Sequence, residues 1–389
     1  MKMNTTKSLL SYALVAMTFI SFFSCSSDVI PDSDSSKTGQ VKVAFGFDKN
    51  TETKGLTAST AKPTTSWSKN IKQLMILFVD NSSGQVKAAR NITVPTEDNL
   101  DQKTTVLQNI PAGSFDAYLI ANYNEANLKR LNIAGLWNEG NVVGKNINSL
   151  TLQLVTNDVF NPTSTESSTT AYKNPSEVFM AKQSVNVQAD QSTAAPTFSL
   201  TRIISILRVR IDQSQNGNNV VDFAHANADL RVRKVVNAFN PKDNFSGFAA
   251  TNTIYSKGTD VYKKEEPSSG YKGGLILDQS NHITLWSDAY IFPGGSKTVG
   301  DQKFDIVLGA MAPEGYVPLG QTTGLRTPTM VYWSGQVQDA VTSNNILEVN
   351  CILKQAGSTE VPEIGSYGNL DLTINLVEWG NISSTNIEM

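Results

Sequence analysis

The chain has 389 residues, 40 % of them hydrophobic and 17 % charged, enough apolar side chain for two ordinary cores and too much for a disordered chain. Its 32 Lys and Arg against 35 Asp and Glu leave a net charge of −3, and no basic stripe is interleaved with aromatics, which excludes a nucleic-acid binder. Much of the polar load falls on Ser, Thr and Asn, a mix that suits the exposed faces of β-sheets.

The first 24 residues read as a signal peptide: Lys2 and Lys7 give a positive start, and an apolar run extends from Leu9 to Phe23. The run ends in Ser24-Cys25, followed by Ser26, Ser27 and Asp28, which resembles a lipoprotein processing site. There the Cys25 thiol would be acylated and become the new N-terminus. Phe22 and Phe23 depart from the aliphatic-small pattern of such sites, and the alternative is an ordinary cleaved signal with an incidental cysteine. Cys351 is the one other cysteine, so with Cys25 lipidated it has no disulfide partner. It lies in the apolar run Leu347 to Leu353, where a small buried hydrophobe is expected rather than a nucleophile.

After a Ser/Asp-rich tether over 26–40, Val41, Val43, Phe45 and Phe47 alternate with Lys42, Ala44, Gly46 and Asp48, a period-two strand with one apolar face. A polar stretch from Lys49 to Ser66 isolates this strand from the body. Ile71 to Val79 is a nearly continuous apolar strand, turned by Asp80-Asn81-Ser82-Ser83-Gly84 into a return strand over Gln85 to Val94. Thr104 to Leu107 leads to a turn at Asn109 to Gly113, and Phe115, Ala117, Leu119 and Ala121 alternate beyond it. Leu128, Leu131 and Leu136 predict a short helix over Glu125 to Trp137, inserted between strands. Strand signals resume at Leu152 to Val155, Val178 to Ala181 and, as the most apolar run in the chain, Phe198 to Ile211. A polar gap from Gln183 to Pro196 places a boundary near residue 190. Further strands are expected near 230–239, 273–277, 283–291, 304–310, 328–333, 345–353 and 370–379. Many short strands with turns between them predict an all-β chain of two β-sandwiches.

Candidate chemistry is sparse. His225 and His282 stand apart, with no second ligand type at metal spacing, and no zinc helix, paired-cysteine site or nucleophile elbow occurs. Gly294-Gly295-Ser296-Lys297-Thr298 has a faint likeness to a phosphate loop but lacks the earlier glycine and reads as a hairpin turn. No pair of carboxylates is singled out for glycoside hydrolysis, and Lys263 to Glu266 reads as a solvated charged loop. Trp67, Trp137, Trp286 and Trp333 could stack on sugars, yet each neighbours an apolar strand or helix and reads as core. No enzyme activity and no cofactor are expected.

These elements, in this order, resemble the fimbrillin family, the type V pilins of Bacteroidetes and their accessory subunits. The resemblance is carried by the signal ending at Cys25, the Val41–Phe47 strand and Ile71-Lys72-Gln73-Leu74-Met75-Ile76-Leu77-Phe78. It continues with Ile110-Pro111-Ala112-Gly113 leading into Tyr118-Leu119-Ile120-Ala121-Asn122, then Leu200-Thr201-Arg202, Ser343 to Val349 and the closing Val377-Glu378-Trp379. It implies two transthyretin-like β-sandwich domains, here over 55–190, with the helical insertion, and 191–389. It also implies that a trypsin-like protease removes a lipidated segment, here 25–54, with the first strand Val41, Val43, Phe45 and Phe47. A strand from another subunit then fills the groove. The family's protease cuts after arginine, and no arginine lies between Cys25 and Ala89; Lys54 before Gly55 is the best substitute, and Lys49 the second.

Leu370, Leu372, Ile374 and Leu376 repeat the period of the first strand and are the candidate donor. The other reading is that they close their own domain, which leaves 380–389, with Ile382 and Ile387, as the donor. The expected partners are other pilus subunits, of the same chain and accessory kinds, the outer membrane through the lipid before processing, and host or bacterial surface ligands. The expected location is the cell outer membrane and the extracellular fimbrium. A stalk subunit is the first expectation; a tip or anchor subunit, or a surface glycan-binding lipoprotein, is the alternative.

Overall fold

In a computed structural model of the chain, the described residues are 37–47, 67–97, 101–123, 137–216, 220–223, 227–242, 244–257, 289–296 and 298–366, with the backbones of strands at 133–134, 276–278, 283–288 and 371–378. Cys25, Lys49, Lys54, Gly55, Ile382, Ile387, both histidines and Lys263 to Glu266 lie outside them.

Eight strands build the first sheet: Thr38–Phe47 (β1), Leu74–Asp80 (β2), Val86–Asn91 (β3), Lys103–Pro111 (β4), Gly113–Ala121 (β5), Phe179–Val187 (β9), Ser192–Ala194 (β10) and Phe198–Arg202 (β11). Their order is β10-β1-β11-β9-β5-β2-β3, with β4 on the other side of β1. Alternate residues of the strands point into one core, formed by Val41, Val43 and Phe45 of β1 with Leu74, Ile76, Phe78, Phe115, Leu119, Phe179 and Phe198. The apolar run of β2 is continuous because both of its faces are covered. Leu74, Ile76 and Phe78 belong to this core, while Met75, Leu77 and Val79 belong to the second one. β5 divides in the same way, with Phe115, Ala117 and Leu119 on one side and Tyr118 and Ile120 on the other.

The second core lies between two five-stranded sheets and reaches back to β2 and β5. One sheet runs Ile276–Asp278 (β17), Ile283–Ile291 (β18), Ser205–Asp212 (β12), Asn345–Ile352 (β21), Asp371–Glu378 (β22). The other runs Thr329–Gln336 (β20), Asp305–Ala312 (β19), Asp229–Arg233 (β13), Asn252–Lys257 (β16), Thr170–Tyr172 (β8). Leu207, Val209 and Val349 from the first meet Leu230, Val232, Ile306 and Leu308 from the second. A small sheet in the order Asn244–Ser246 (β15), Ala238–Asn240 (β14), Leu152–Leu154 (β7) and Ile133–Ala134 (β6) takes two strands from between β5 and β9 and two from between β13 and β16. The chain is thus nearly all β, as its strand pattern predicts.

Three expectations change. The run Phe198 to Ile211 is not one strand: β11 belongs to the first sheet and β12 to the second half, with Ile203 and Ile204 buried at the crossing. The stretch expected as a polar gap from Gln183 is strand as far as Val187, and β9 buries Val185 and Val187 by alternation with exposed polar residues. Residue 190 falls in the turn between β9 and β10, and β10 and β11 still pair in the first sheet. In the stretch expected as the helix 125–137, the described segment Ile133–Ala134 is a strand, paired with β7; residues 124–132 lie outside the described residues. The helical turn nearby is Glu139–Val142, where Asn138 caps Asn141 and Asn141 bonds back to Asn138, each at 2.9 Å.

Candidate functional site: the channel occupied by the first strand

β1 is built into the sheet along both of its edges. On one side it runs antiparallel to β4, with partners from Thr38↔Pro111 to Phe45↔Lys103. On the other it runs parallel to β10 at Gln40 to Lys42 and to β11 at Phe45 to Phe47. Gln40 N donates to Gln191 O at 2.9 Å, and Ala195 N donates to Lys42 O at 3.0 Å, which carries the ladder across the break between β10 and β11. Val41, Val43 and Phe45 are buried to 2 % exposure or less. The alternation seen in the sequence therefore fills a channel whose other walls come from β4, β9, β10 and β11.

The far end of the channel is aromatic. Trp67, fully buried, begins a short helix, Trp67–Asn70 (α1), and its Nε1 donates to Asp101 O at 3.0 Å. The Phe45 ring stands edge-on to it at 5.5 Å, and Phe47 lies 4.5 Å from Trp67 and 5.4 Å from Phe179. The near end is tight. A Cβ on Gly39 would overlap the Gln188 carbonyl oxygen and stand 3.1 Å from that of Gln191, so the residue there has to be glycine. β1 is tied to the body in sequence through 48–66 alone, the stretch that holds Lys49 and Lys54.

Sequence elements far apart meet beside the channel. Asn122, buried and at φ 59, accepts from Lys72 N at 2.8 Å and donates through Nδ2 to the carbonyls of Asn70 and Glu177, each at 2.6 Å. A short amide side chain tolerates the left-handed backbone and supplies the bonds that the turn needs. Arg202, with no exposed surface, pairs with Glu177 at 3.3 Å, covers the Phe179 ring at 5.0 Å and donates to Asn344 Oδ1 at 2.8 Å. This bond joins Leu200-Thr201-Arg202 to Ser343-Asn344-Asn345, two segments read separately in the sequence. Burial lowers the Arg202 pKa, against the pull of Glu177.

A second buried cluster went unseen in the sequence. Glu166, 1 % exposed, pairs with Arg231 at 2.6 Å and Arg233 at 3.1 Å, and Arg231 also pairs with Asp229 at 3.0 Å. Rings of Phe160, Tyr255 and Tyr332 surround the Arg231 guanidinium at 5.2–5.8 Å. Burial pushes the Glu166 carboxyl up, but Arg231, the Thr163 hydroxyl and Arg233 more than offset it and hold the pKa below its ordinary value. The one available signal was the alternation of Asp229, Arg231 and Arg233 with Leu230 and Val232, a strand with one charged face.

The other candidates separate clearly. β22 pairs with β21 from Asn345↔Glu378 to Ile352↔Asp371, placing Leu372, Ile374 and Leu376 opposite Cys351, Val349 and Leu347. Among the described residues, then, Asp371–Glu378 closes its own sheet as an edge strand, and Leu370 lies outside them. Cys351 is a buried core residue whose thiol pKa is raised by burial. Trp67, Trp137 and Trp333 are all buried and offer no ring to a sugar, while the Trp286 side chain lies outside the described residues. At Gly294 the chain bonds with Val341 in both directions, at 3.0 and 2.8 Å, and Ser296 Oγ accepts from the N–H groups of Thr298 and Val299, the geometry of a turn.

Residues 31–276 match the family model of the fimbrillin-A associated anchor proteins Mfa1 and Mfa2. Solved structures similar to the chain include a Bacteroides eggerthii protein assigned to cell adhesion, 10 % identical, covering 90 % of this chain and 98 % of its own at TM-score 0.49. A fimbrilin from Porphyromonas gingivalis is 12 % identical over 88 % of this chain and 98 % of its own, at TM-score 0.47. The fimbrial anchor protein Mfa2 of the same organism is 10 % identical over 88 % and 99 %, at TM-score 0.44. No curated protein matches the chain in sequence.

Proposed function

Because the chain belongs to the family of the fimbrillin-A associated anchor proteins Mfa1 and Mfa2, we propose that it is a structural subunit of a cell-surface fimbrium, joined to its neighbours through the channel that β1 occupies. The observation that carries this reading is β1 itself: a strand bonded on both edges, with a fully apolar inner face, yet tied covalently to the body through one polar stretch. In this reading the chain is exported as a lipoprotein on Cys25 and reaches the outer membrane. Cleavage after Lys54 frees residues 25–54, and a strand from the C-terminal stretch of another subunit enters the vacated channel. Mechanism here is packing rather than catalysis, with no cofactor. Removing β1 uncovers the sites of Val41, Val43 and Phe45, about 5–9 kcal/mol of gross burial at ~1.5–3 kcal/mol each. It also leaves ladder groups on β4, β10 and β11 without partners. A replacement strand restores both, less the cost of ordering it.

Mild trypsin digestion of purified precursor tests the reading. The expected product is a stable core beginning at Gly55 that forms subunit ladders on unboiled gels once concentrated. A core that still begins at Cys25 or Ser26 after prolonged digestion, and stays monomeric, would instead mark an anchor that keeps its lipid and its first strand. That is the role named in the description of the matched family.

A further inference from the structure

We propose that Gly39 marks a gate that sets the register of any strand filling the channel, and that the strand answering to it is residues 368–376 of a second copy of this chain. This rests on the reading above that the channel exchanges strands.

The gate is made of backbone. The carbonyl oxygens of Gln188 and Gln191, in the turn between β9 and β10, crowd the position where a Cβ at residue 39 would stand. The turn cannot back away without losing its own bonds to β1, because Asp190 N donates to Thr38 O at 2.8 Å and Gln40 N to Gln191 O at 2.9 Å. A strand sliding by two residues would keep its apolar face inward but would bring a side chain into the gate. Sheet pairing alone does not distinguish such slips; a steric stop at one level does.

β1 meets the gate with glycine and then places Val41, Val43, Phe45 and Phe47 at every second residue. Of the 26 glycines in the chain, one other is followed by large apolar residues at +2, +4, +6 and +8: Gly368, before Leu370, Leu372, Ile374 and Leu376. Gly380 fails at once, since Ile382 is followed by Ser384, Asn386 and Glu388. Aligned on the glycines, two Val and two Phe are exchanged for three Leu and one Ile. The total volume is similar though differently distributed, and cores absorb such exchanges by repacking. The shared order fixes the direction as well, antiparallel to β4 and parallel to β10 and β11. The transfer is favoured by position: among the described residues β22 has ladder partners along one edge, on β21, whereas the channel offers partners along both.

The experiment uses full-length protein nicked by trypsin between β1 and the body, mixed with dye-labelled peptides and followed by anisotropy. The peptides are 37–48, 366–378, 366–378 carrying Gly368→Ala, and 370–378, which has no residue at the gate. The expectation is that 37–48, 366–378 and 370–378 enter, while the Gly368→Ala peptide binds at least tenfold more weakly. Equal binding of the Gly368→Ala peptide would overturn the gate, and failure of 366–378 where 37–48 enters would overturn the donor. Failure of every peptide, 37–48 included, would instead overturn the strand-exchange reading itself.

Discussion

Phe45 decides how firmly the first strand is held. It is 2 % exposed and stands edge-on to Trp67 at 5.5 Å. Phe45→Ala removes a full aromatic side chain from a packed site that α1 and β11 cannot close without moving, a change that costs about 3–5 kcal/mol in comparable cores, of which the ring pair supplies roughly 0.5–1.5. At 1.4 kcal/mol per factor of ten, β1 should leave the nicked protein between about a hundred and a few thousand times more readily. The assay is to nick purified protein between β1 and the body, pass it over a sizing column at intervals and measure the peptide retained. Emission from Trp67, isolated by comparison with Trp67→Phe, should shift to the red as the strand departs. Retention equal to wild type would refute the reasoning, since it would mean that β1 is held by its backbone ladder and not by the buried face.

Three further outcomes are expected, two from buried or hydrogen-bonded carboxylates and one from the sequence at Cys25. Glu166→Gln leaves Arg231 and Arg233 buried without their shared carboxylate and should lower stability in urea by about 3–5 kcal/mol; a loss under about 1 kcal/mol would show that the cluster is already solvated. Asp80 accepts from Ser82 Oγ, Ser83 N and Ser83 Oγ at 2.7–2.8 Å, and these bonds hold its pKa down to about 2 from 3.8. A depressed carboxylate stabilises above its unfolded value, so the advantage of wild type over Asp80→Ala should be full above pH 5 and shrink as pH falls toward 2; a difference that grows on acidification contradicts the assignment. Labelling cells with a fatty-acid analogue should tag the precursor and not Cys25→Ala, and equal labelling would remove lipidation from the reading.

Local patterns were legible wherever one face or both faces of a strand decide its burial. The alternation from Val41 to Phe47 gives β1, and the unbroken run Ile71 to Val79 gives β2, whose two faces serve two cores. What the sequence hides is pairing across distance. Arg202 and Asn344 are 142 residues apart, and nothing in either segment names the other. The same holds for Glu166, which ends the short 3-10 turn Ser164–Glu166 between β7 and β8 and acquires its role only when Arg231 and Arg233 close over it. The run Phe198 to Ile211 misleads for a related reason: apolarity reports burial, and both sheets bury it, so the crossing at Ile203–Ile204 leaves no mark. For 370–376 the sequence left two readings open because a period of two is common to all amphipathic strands.

The way β1 is seated also sets how a strand held in this channel responds to force. A strand at a sheet edge that is pulled sideways peels, one hydrogen bond at a time. A strand gripped on both edges and pulled along its own axis loads its bonds in shear, so they must fail together. β4 grips β1 from Thr38 to Phe45, and β10 and β11 hold the opposite edge from Gln40 to Phe47. Any strand that takes its place inherits that geometry. A fibre assembled through this channel would therefore resist tension along the strand axis far better than it resists bending at the joint.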